Sequence, residues 1–244
     1  MIDIASKQVV LITGAGRRVG NHLAQRLHQQ GYHVVAHYRS ETEQLETLKA
    51  MGIDTLQADL DSAEQAISFA KVVSERYPRF RALIHNASSF SPTATDLMAA
   101  AKQYQQFFTI HMLAPYLMNE VLLAQLHPTG QQWGDIIHIT DIHVENPSPE
   151  FEIYSSTKAG LHNLTLGLAK KYAPAIKVNA IAPGPVLFAQ QHDKATIDEI
   201  LAETLLAKEG GAEPVYLAVK SLLENPFITG CSLPVDGGRR LTKR

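Results

Sequence analysis

Seven short apolar or β-branched runs, most of them followed by a stretch with helical spacing, leave few folds open to this chain. The runs are Val9–Thr13, His33–His37, Ile53–Gln57, Ala82–His85, Asp135–Ile139, Lys177–Ile181 and Ser232–Val235. Helix-like patterns lie between them near 18–30, 41–51, 62–76, 98–126, 153–172 and 212–223. Strands separated by helices of this length are joined by right-handed crossovers, which makes the strands parallel. Val9–Ile12 is apolar at every position, the pattern of a strand covered on both faces. The expected architecture is α/β: a Rossmann-like doubly wound parallel sheet of about seven strands, helices on both faces, in one domain over 1–244. Ligands of such sheets collect at the carboxyl ends of the strands.

Composition narrows the function classes. The formal net charge of −2 argues against nucleic acid as the main partner. No apolar run reaches the ~18 residues that span a bilayer, so no membrane is expected. Cys231 is the lone cysteine, which rules out an internal disulfide framework and makes a reducing cytoplasm the simplest setting. The eleven histidines show no metal-ligand spacing such as H-E-x-x-H, so no metal is expected.

Three stretches carry chemistry. The first is the glycine turn Thr13-Gly14-Ala15-Gly16-Arg17-Arg18-Val19-Gly20, between the first strand and the first helix. Strand, glycine turn and helix is the setting of a phosphate-binding loop, yet the dinucleotide fingerprint fails at Val19. The second is Tyr154-x-x-x-Lys158, whose members share one helix face. An adjacent ammonium favours the phenolate and lowers a phenol's pKa, which suits the pair to proton transfer beside a hydride acceptor. The alternative is a chance helical pair with a solvated lysine. The third is Ala36-His37-Tyr38-Arg39-Ser40, at the end of the second strand, which lacks the carboxylate that binds a ribose 2′-OH in NAD-dependent enzymes. Arg39 and Ser40 suit a 2′-phosphate instead, unless Arg39 merely opens the next helix as a solvated residue.

Taken with Asp59, His85-Asn86-Ala87-Ser88, Pro183-Gly184 and Asp236-Gly237-Gly238, these motifs make nearly the whole chain resemble the short-chain dehydrogenase/reductase family. In that family the tyrosine donates a proton and the lysine holds the nicotinamide ribose. A third polar residue, usually serine, stands thirteen positions before the tyrosine; here that position is Asp141. A carboxylate accepts hydrogen bonds only and repels a developing alkoxide, so it suits a substrate with N–H donors or a nitrogen that needs a proton. Asp141 is alternatively a turn cap at the strand end.

Asp141, the Asn86-Ala87-Ser88-Ser89-Phe90 run and the arginines of the glycine loop resemble the pteridine reductase branch. That resemblance implies NADPH-dependent reduction of a 7,8-dihydropterin, 7,8-dihydromonapterin first among candidates, with weaker activity on dihydrofolate or dihydrobiopterin. The implied catalytic residues are Asp141, Tyr154 and Lys158. Arg18, Ser88, Phe90, Asp141 and Tyr154 would meet the substrate, with the pterin held between Phe90 and the nicotinamide. The cofactor would meet Gly14, Arg17, Arg18, Val19, His37, Tyr38, Arg39, Ser40, Asp59, Asn86, Ala87, Ser88, Thr140, Tyr154, Lys158, Pro183, Gly184 and Val186.

Many members place an asparagine on the long middle helix to hold a water behind the lysine. His111 stands there, either bridging a water or as a satisfied core histidine. Leu187 to about Gly211 reads as a substrate lid, Ala159, Gly160 and Gly167 allow close helix contact, and the resemblance implies a homotetramer built on the helices near 98–126 and 153–172. Two rivals stay open: a carbonyl reductase acting on a ketone such as a 3-oxoacyl group, and an NADPH-binding regulator without turnover.

Overall fold

The computed structural model describes residues 8–126, 133–188 and 193–242. All seven expected strands are present: β1 (Val9–Ile12), β2 (His33–Tyr38), β3 (Asp54–Gln57), β4 (Ala82–His85), β5 (Gly134–Ile139), β6 (Ile176–Pro183) and β7 (Ser232–Val235). They form one parallel sheet in the order β3-β2-β1-β4-β5-β6-β7. The order reverses at β1, so a crevice opens beyond the carboxyl ends of β1 and β4, the switch point where ligands of doubly wound sheets bind.

Alternation along β1 explains why every residue in it is apolar. Val10 and Ile12 join the core that packs against α1 (Arg18–Gln29) and later α8 (Glu213–Glu224). Val9 and Leu11 face the opposite core, under α3 (Ala63–Arg76), α5 (Ala114–Leu126) and α6 (Glu152–Tyr172). At the amino ends of the strands Asp135 is fully buried between Arg81 and Lys177, the latter at 2.9 Å. That ion cluster lies at the end of the sheet opposite the crevice.

Side-chain caps start α2 (Glu43–Ala50), α3, α4 (Leu97–Phe108) and α7 (Lys194–Ala202): Thr42, Ser62, Asp96 and Asp193 each accept from the backbone N–H three residues on. At α1 the cap position is Arg17, which gives no side-chain cap, and the first turn holds no acidic residue. The positive end of the α1 dipole therefore has no carboxylate in its first turn to offset it.

The single helix expected over 98–126 is interrupted. A π-helical turn at Thr109–Leu113 separates α4 from α5, and no periodicity argument marks it. Counted through the π-helical turn, Leu97–Leu126 is long and apolar enough, by length and composition, to cross a membrane. This amends the expectation that no such stretch exists. Ala114, Met118, Leu122 and Leu126 of that run pack into the core beside α3, which accounts for its apolar composition. Gly160 approaches this run closely, since a Cβ there would lie 2.5 Å from the Met112 sulfur, whereas a Cβ on Gly167 would meet open space.

Candidate active site

The turn after β1 needs glycine at two points. Gly14 has φ +67°, and a Cβ on it would stand 2.7 Å from the Ala87 Cα. A Cβ on Gly20 would stand 2.3 Å from the Gly14 carbonyl oxygen. Arg18 occupies a second left-handed position in the turn, φ +56°, at a cost of roughly 1–2 kcal/mol for a residue with a Cβ. Two sets of contacts hold it there: its N–H donates to Gln44 Oε1 at 2.7 Å, and its guanidinium donates to the Leu187 carbonyl at 2.7 Å. Arg17, Arg39 and Ser40 are exposed beyond the ends of β1 and β2, and neither arginine forms an ion pair with a carboxylate among the described residues. Glu41, the first carboxylate after β2, is engaged by the Tyr38 hydroxyl and Lys49.

His37 corrects the sequence reading. It is 2% exposed, its Nδ1 accepts the Gly14 N–H at 3.1 Å, and its Nε2 bonds the Ala58 carbonyl at 3.1 Å. Burial lowers its pKa to about 4, so it stays neutral. His37 supports the glycine loop from beneath and presents no free nitrogen to a ligand. Tyr38 is likewise buried, with its Cβ facing Gly16. Thr140 uses its hydroxyl proton on the Ile181 carbonyl at 3.0 Å. The Asn86 amide donates to the Thr13 and Gly14 carbonyls, at 3.1 and 2.9 Å. These side chains shape the crevice, leaving their backbones and neighbours to line it.

Asp59, just past β3, has a different character. Its Oδ1 is buried with no hydrogen-bond partner. An unpartnered acceptor just past the carboxyl end of β3 fits an adenine amino group, and the α1 terminus with Arg17 and Arg39 fits phosphates. A nicotinamide dinucleotide therefore matches the residues present.

Asp141 follows β5, and the first turn of α6 brings Tyr154 against it. The phenol donates to Asp141 Oδ2 at 3.1 Å, while Oδ1 accepts the His143 N–H at 2.8 Å. One oxygen of Asp141 thus caps the turn, as its alternative reading has it, and the other meets the tyrosine. Lys158 is 2% exposed, donates to the Ile139 carbonyl at 2.9 Å, and sits 5.7 Å from the Tyr154 ring centre.

Proximity to the lysine does not lower the phenol's pKa, as the four-residue spacing suggested. Burial pushes Tyr154 well above 10, and the Asp141 charge and hydrogen bond push the same way, against an opposing Ser88 hydroxyl. The phenol therefore stays protonated at neutral pH. Lys158 is lowered to about 8, by burial first, with the Asp141 charge opposing.

The loop after β4 brings Ser88 and Phe90 to the same place. Phe90 is 62% exposed, which excludes a core role, and its ring meets Tyr154 edge-on at 4.9 Å. Phe151, which sequence reasoning missed, stacks on Phe90 at 4.7 Å and 12°. Its position one helical turn before Tyr154 was the available signal. Pro183, Gly184 and Val186 lead out of β6. A Cβ on Gly184 would lie 2.9 Å from the Asp236 Cα, so the Asp236-Gly237-Gly238 turn presses on this exit. Of the expected lid, residues 189–192 lie outside the described residues. Within the rest, α7 is tied down by Arg239, whose guanidinium donates to the Ile200 carbonyl at 2.7 Å and Glu203 at 2.6 Å.

With this geometry in hand, comparison with known proteins is decisive: residues 8–198 match the short chain dehydrogenase family. The chain belongs to the short-chain dehydrogenase/reductase family. As a member it is an oxidoreductase working with a nicotinamide dinucleotide. This short-chain dehydrogenase/reductase is 38% identical over 232 residues to a dihydromonapterin reductase of Klebsiella pneumoniae, covering 95% of this chain and 96% of that relative. It is 38% identical over 239 residues to a dihydromonapterin reductase of Enterobacter sp. (strain 638), covering 97% and 98%. A dihydromonapterin reductase of Escherichia coli is 38% identical over 237 residues, covering 95% and 96%.

Proposed function

We propose that this chain is an NADPH-dependent dihydropterin reductase, with 7,8-dihydromonapterin as preferred substrate and dihydrofolate or dihydrobiopterin as weaker ones. The observation that carries the reading is the Tyr154–Asp141 hydrogen bond at 3.1 Å, beside the exposed ring of Phe90. A carboxylate at the proton-donor site disfavours an alkoxide and favours a substrate nitrogen that must gain a proton. The names of the similar proteins support the same substrate class.

When bound, NADPH supplies the hydride, which the pterin accepts at C6. The chain's own residues do the rest. Asp59 accepts from the adenine amino group. Arg17, Arg39 and Ser40 hold the 2′-phosphate. Arg18 and the α1 terminus meet the pyrophosphate, and Lys158 meets the ribose. Phe90 stacks on the pterin ring, supported from behind by Phe151. Tyr154 and Asp141 deliver the proton that N5 gains. The residues from Leu187 to about Gly211 cover the substrate. The enzyme is assigned to the cytoplasm. For the homotetramer that the family resemblance implies, Leu97, Met98, Tyr104 and Phe108 supply an exposed apolar face on α4.

The test is NADPH oxidation against dihydromonapterin, dihydrobiopterin, dihydrofolate and a 3-oxoacyl ketone. Turnover of the ketone alone would favour the carbonyl reductase; binding without any turnover would favour the regulator.

Two further results are expected. Arg17→Ala weakens NADPH by about tenfold while sparing NADH, as loss of one charge-assisted phosphate contact implies. Arg18→Ala weakens both cofactors and raises the pterin KM. Equal losses for NADH and NADPH in both variants would contradict this division. Second, Lys158 carries its charge below about pH 8 and loses it above. Because the charged form holds the ribose, kcat/KM for reduction should fall as pH rises through about 8. A profile flat to pH 9.5 would contradict that role.

A further inference from the structure

His111 does not back Lys158 through the bond expected of an asparagine at its position. It is 1% exposed, and both ring nitrogens are engaged elsewhere. The π-helical turn at Thr109–Leu113 sets it against the loop after β4 on one side and α6 on the other.

Its tautomer follows from its neighbours. The Ser89 backbone N–H, which can only donate, points at Nε2 from 3.3 Å. Nε2 therefore carries a lone pair and Nδ1 carries the proton. Nδ1 donates to Thr157 Oγ1 at 2.8 Å, and Thr157 passes its own proton to the Tyr154 carbonyl at 2.9 Å. The chain of donors runs one way.

Ser88 completes it. Its Oγ lies 2.8 Å from His111 Nε2, and since that nitrogen only accepts, the serine donates. The alternative acceptor, the Ser89 carbonyl, is farther at 3.4 Å. A hydroxyl has one proton, so Ser88 turns only lone pairs toward the site.

We propose that His111 is a positioning residue that holds the Ser88 proton, so that Ser88 and Asp141 together form a pair of acceptors selecting a substrate edge with N–H donors. This rests on the pterin reading of the site. A ketone offers no N–H donor and is rejected by the same pair, whereas the amino-pyrimidine and N8–H of a dihydropterin satisfy it. Burial and the nearby Lys158 charge hold the His111 pKa well below 6.5, so the ring does not flip into a donor at working pH.

The experiment is a double-mutant cycle read in KM, kcat and NADPH Kd. His111→Asn keeps an amide for Thr157 but leaves nothing at the Nε2 position. It should raise the dihydropterin KM about tenfold, with kcat and NADPH Kd within about threefold. Ser88→Ala should do the same, and the double variant should be no worse than Ser88→Ala alone. His111→Gln places an acceptor near the Nε2 position and should return KM to within about threefold of the parent. Additive losses, or a Gln variant no better than Asn, would overturn the inference while leaving parental pterin turnover intact. A parent chain that reduces ketones but no dihydropterin would remove the substrate reading, and this role with it.

Discussion

Replacing Tyr154 by phenylalanine should lower kcat for dihydropterin reduction by about 10³-fold while leaving NADPH affinity within about twofold. The ring is buried and keeps its place: it meets Phe90 at 4.9 Å, Phe107 at 6.3 Å and His111 at 5.5 Å, contacts a phenylalanine ring also makes. Only the hydroxyl is lost, and with it the hydrogen bond to Asp141. Burial and the adjacent carboxylate keep the phenol protonated, so the parent enters each cycle with a proton in place. General acid catalysis of this kind contributes about 10²–10⁴ in rate. In the proposed function other elements hold the cofactor's phosphates and adenine, so binding should survive. Unchanged turnover would remove Tyr154 from the proton path, and a parallel loss of NADPH affinity would make it a structural residue.

Asp141→Ser should lower kcat/KM for dihydropterins by about 10²-fold, with NADPH affinity within about threefold. A serine hydroxyl can still cap the turn by accepting the His143 N–H, as Oδ1 does at 2.8 Å. The local backbone is therefore retained. What disappears is the negative charge beside the phenol, which after burial is the next influence that raises the Tyr154 pKa. The variant presents a hydrogen-bond donor where the parent presents an acceptor. It should gain measurable ketone turnover as it loses pterin turnover. A variant that lost only NADPH affinity would show that Asp141 serves the cofactor instead.

The layered sheet was legible because burial on both faces forces β1 to be apolar throughout, and because crossover helices have a minimum length. All seven runs became strands for these reasons. The glycine turn after β1 was legible, and Arg18 stands where a left-handed backbone would normally call for glycine. His37 departs from the sequence expectation because a position near a strand's carboxyl end does not by itself give access to a ligand. Strand alternation held the correction: His37 lies on the same face as Val35, toward Phe69 at 4.8 Å, and so under a helix.

Other features depend on geometry that sequence spacing does not carry. Tyr154 and Lys158 share a helix face, but the lysine turns to the Ile139 carbonyl, and burial followed by the carboxylate governs the phenol. The π-helical turn inserts without a break in apolar character, so His111 was placed on a regular helix and its partners Ser88 and Thr157 were missed.

The central claim is a hydride passed to a pterin ring and a proton passed from Tyr154 and Asp141 to its N5. It is tested most directly by incubating the full chain with NADPH deuterated at nicotinamide C4 and 7,8-dihydromonapterin, then locating the label by mass spectrometry and NMR. The expected result is one deuterium at C6 of tetrahydromonapterin, absent in the Tyr154→Phe protein. Deuterium recovered in a ketone product but in no pterin, or NADPH bound and never oxidised, would contradict it.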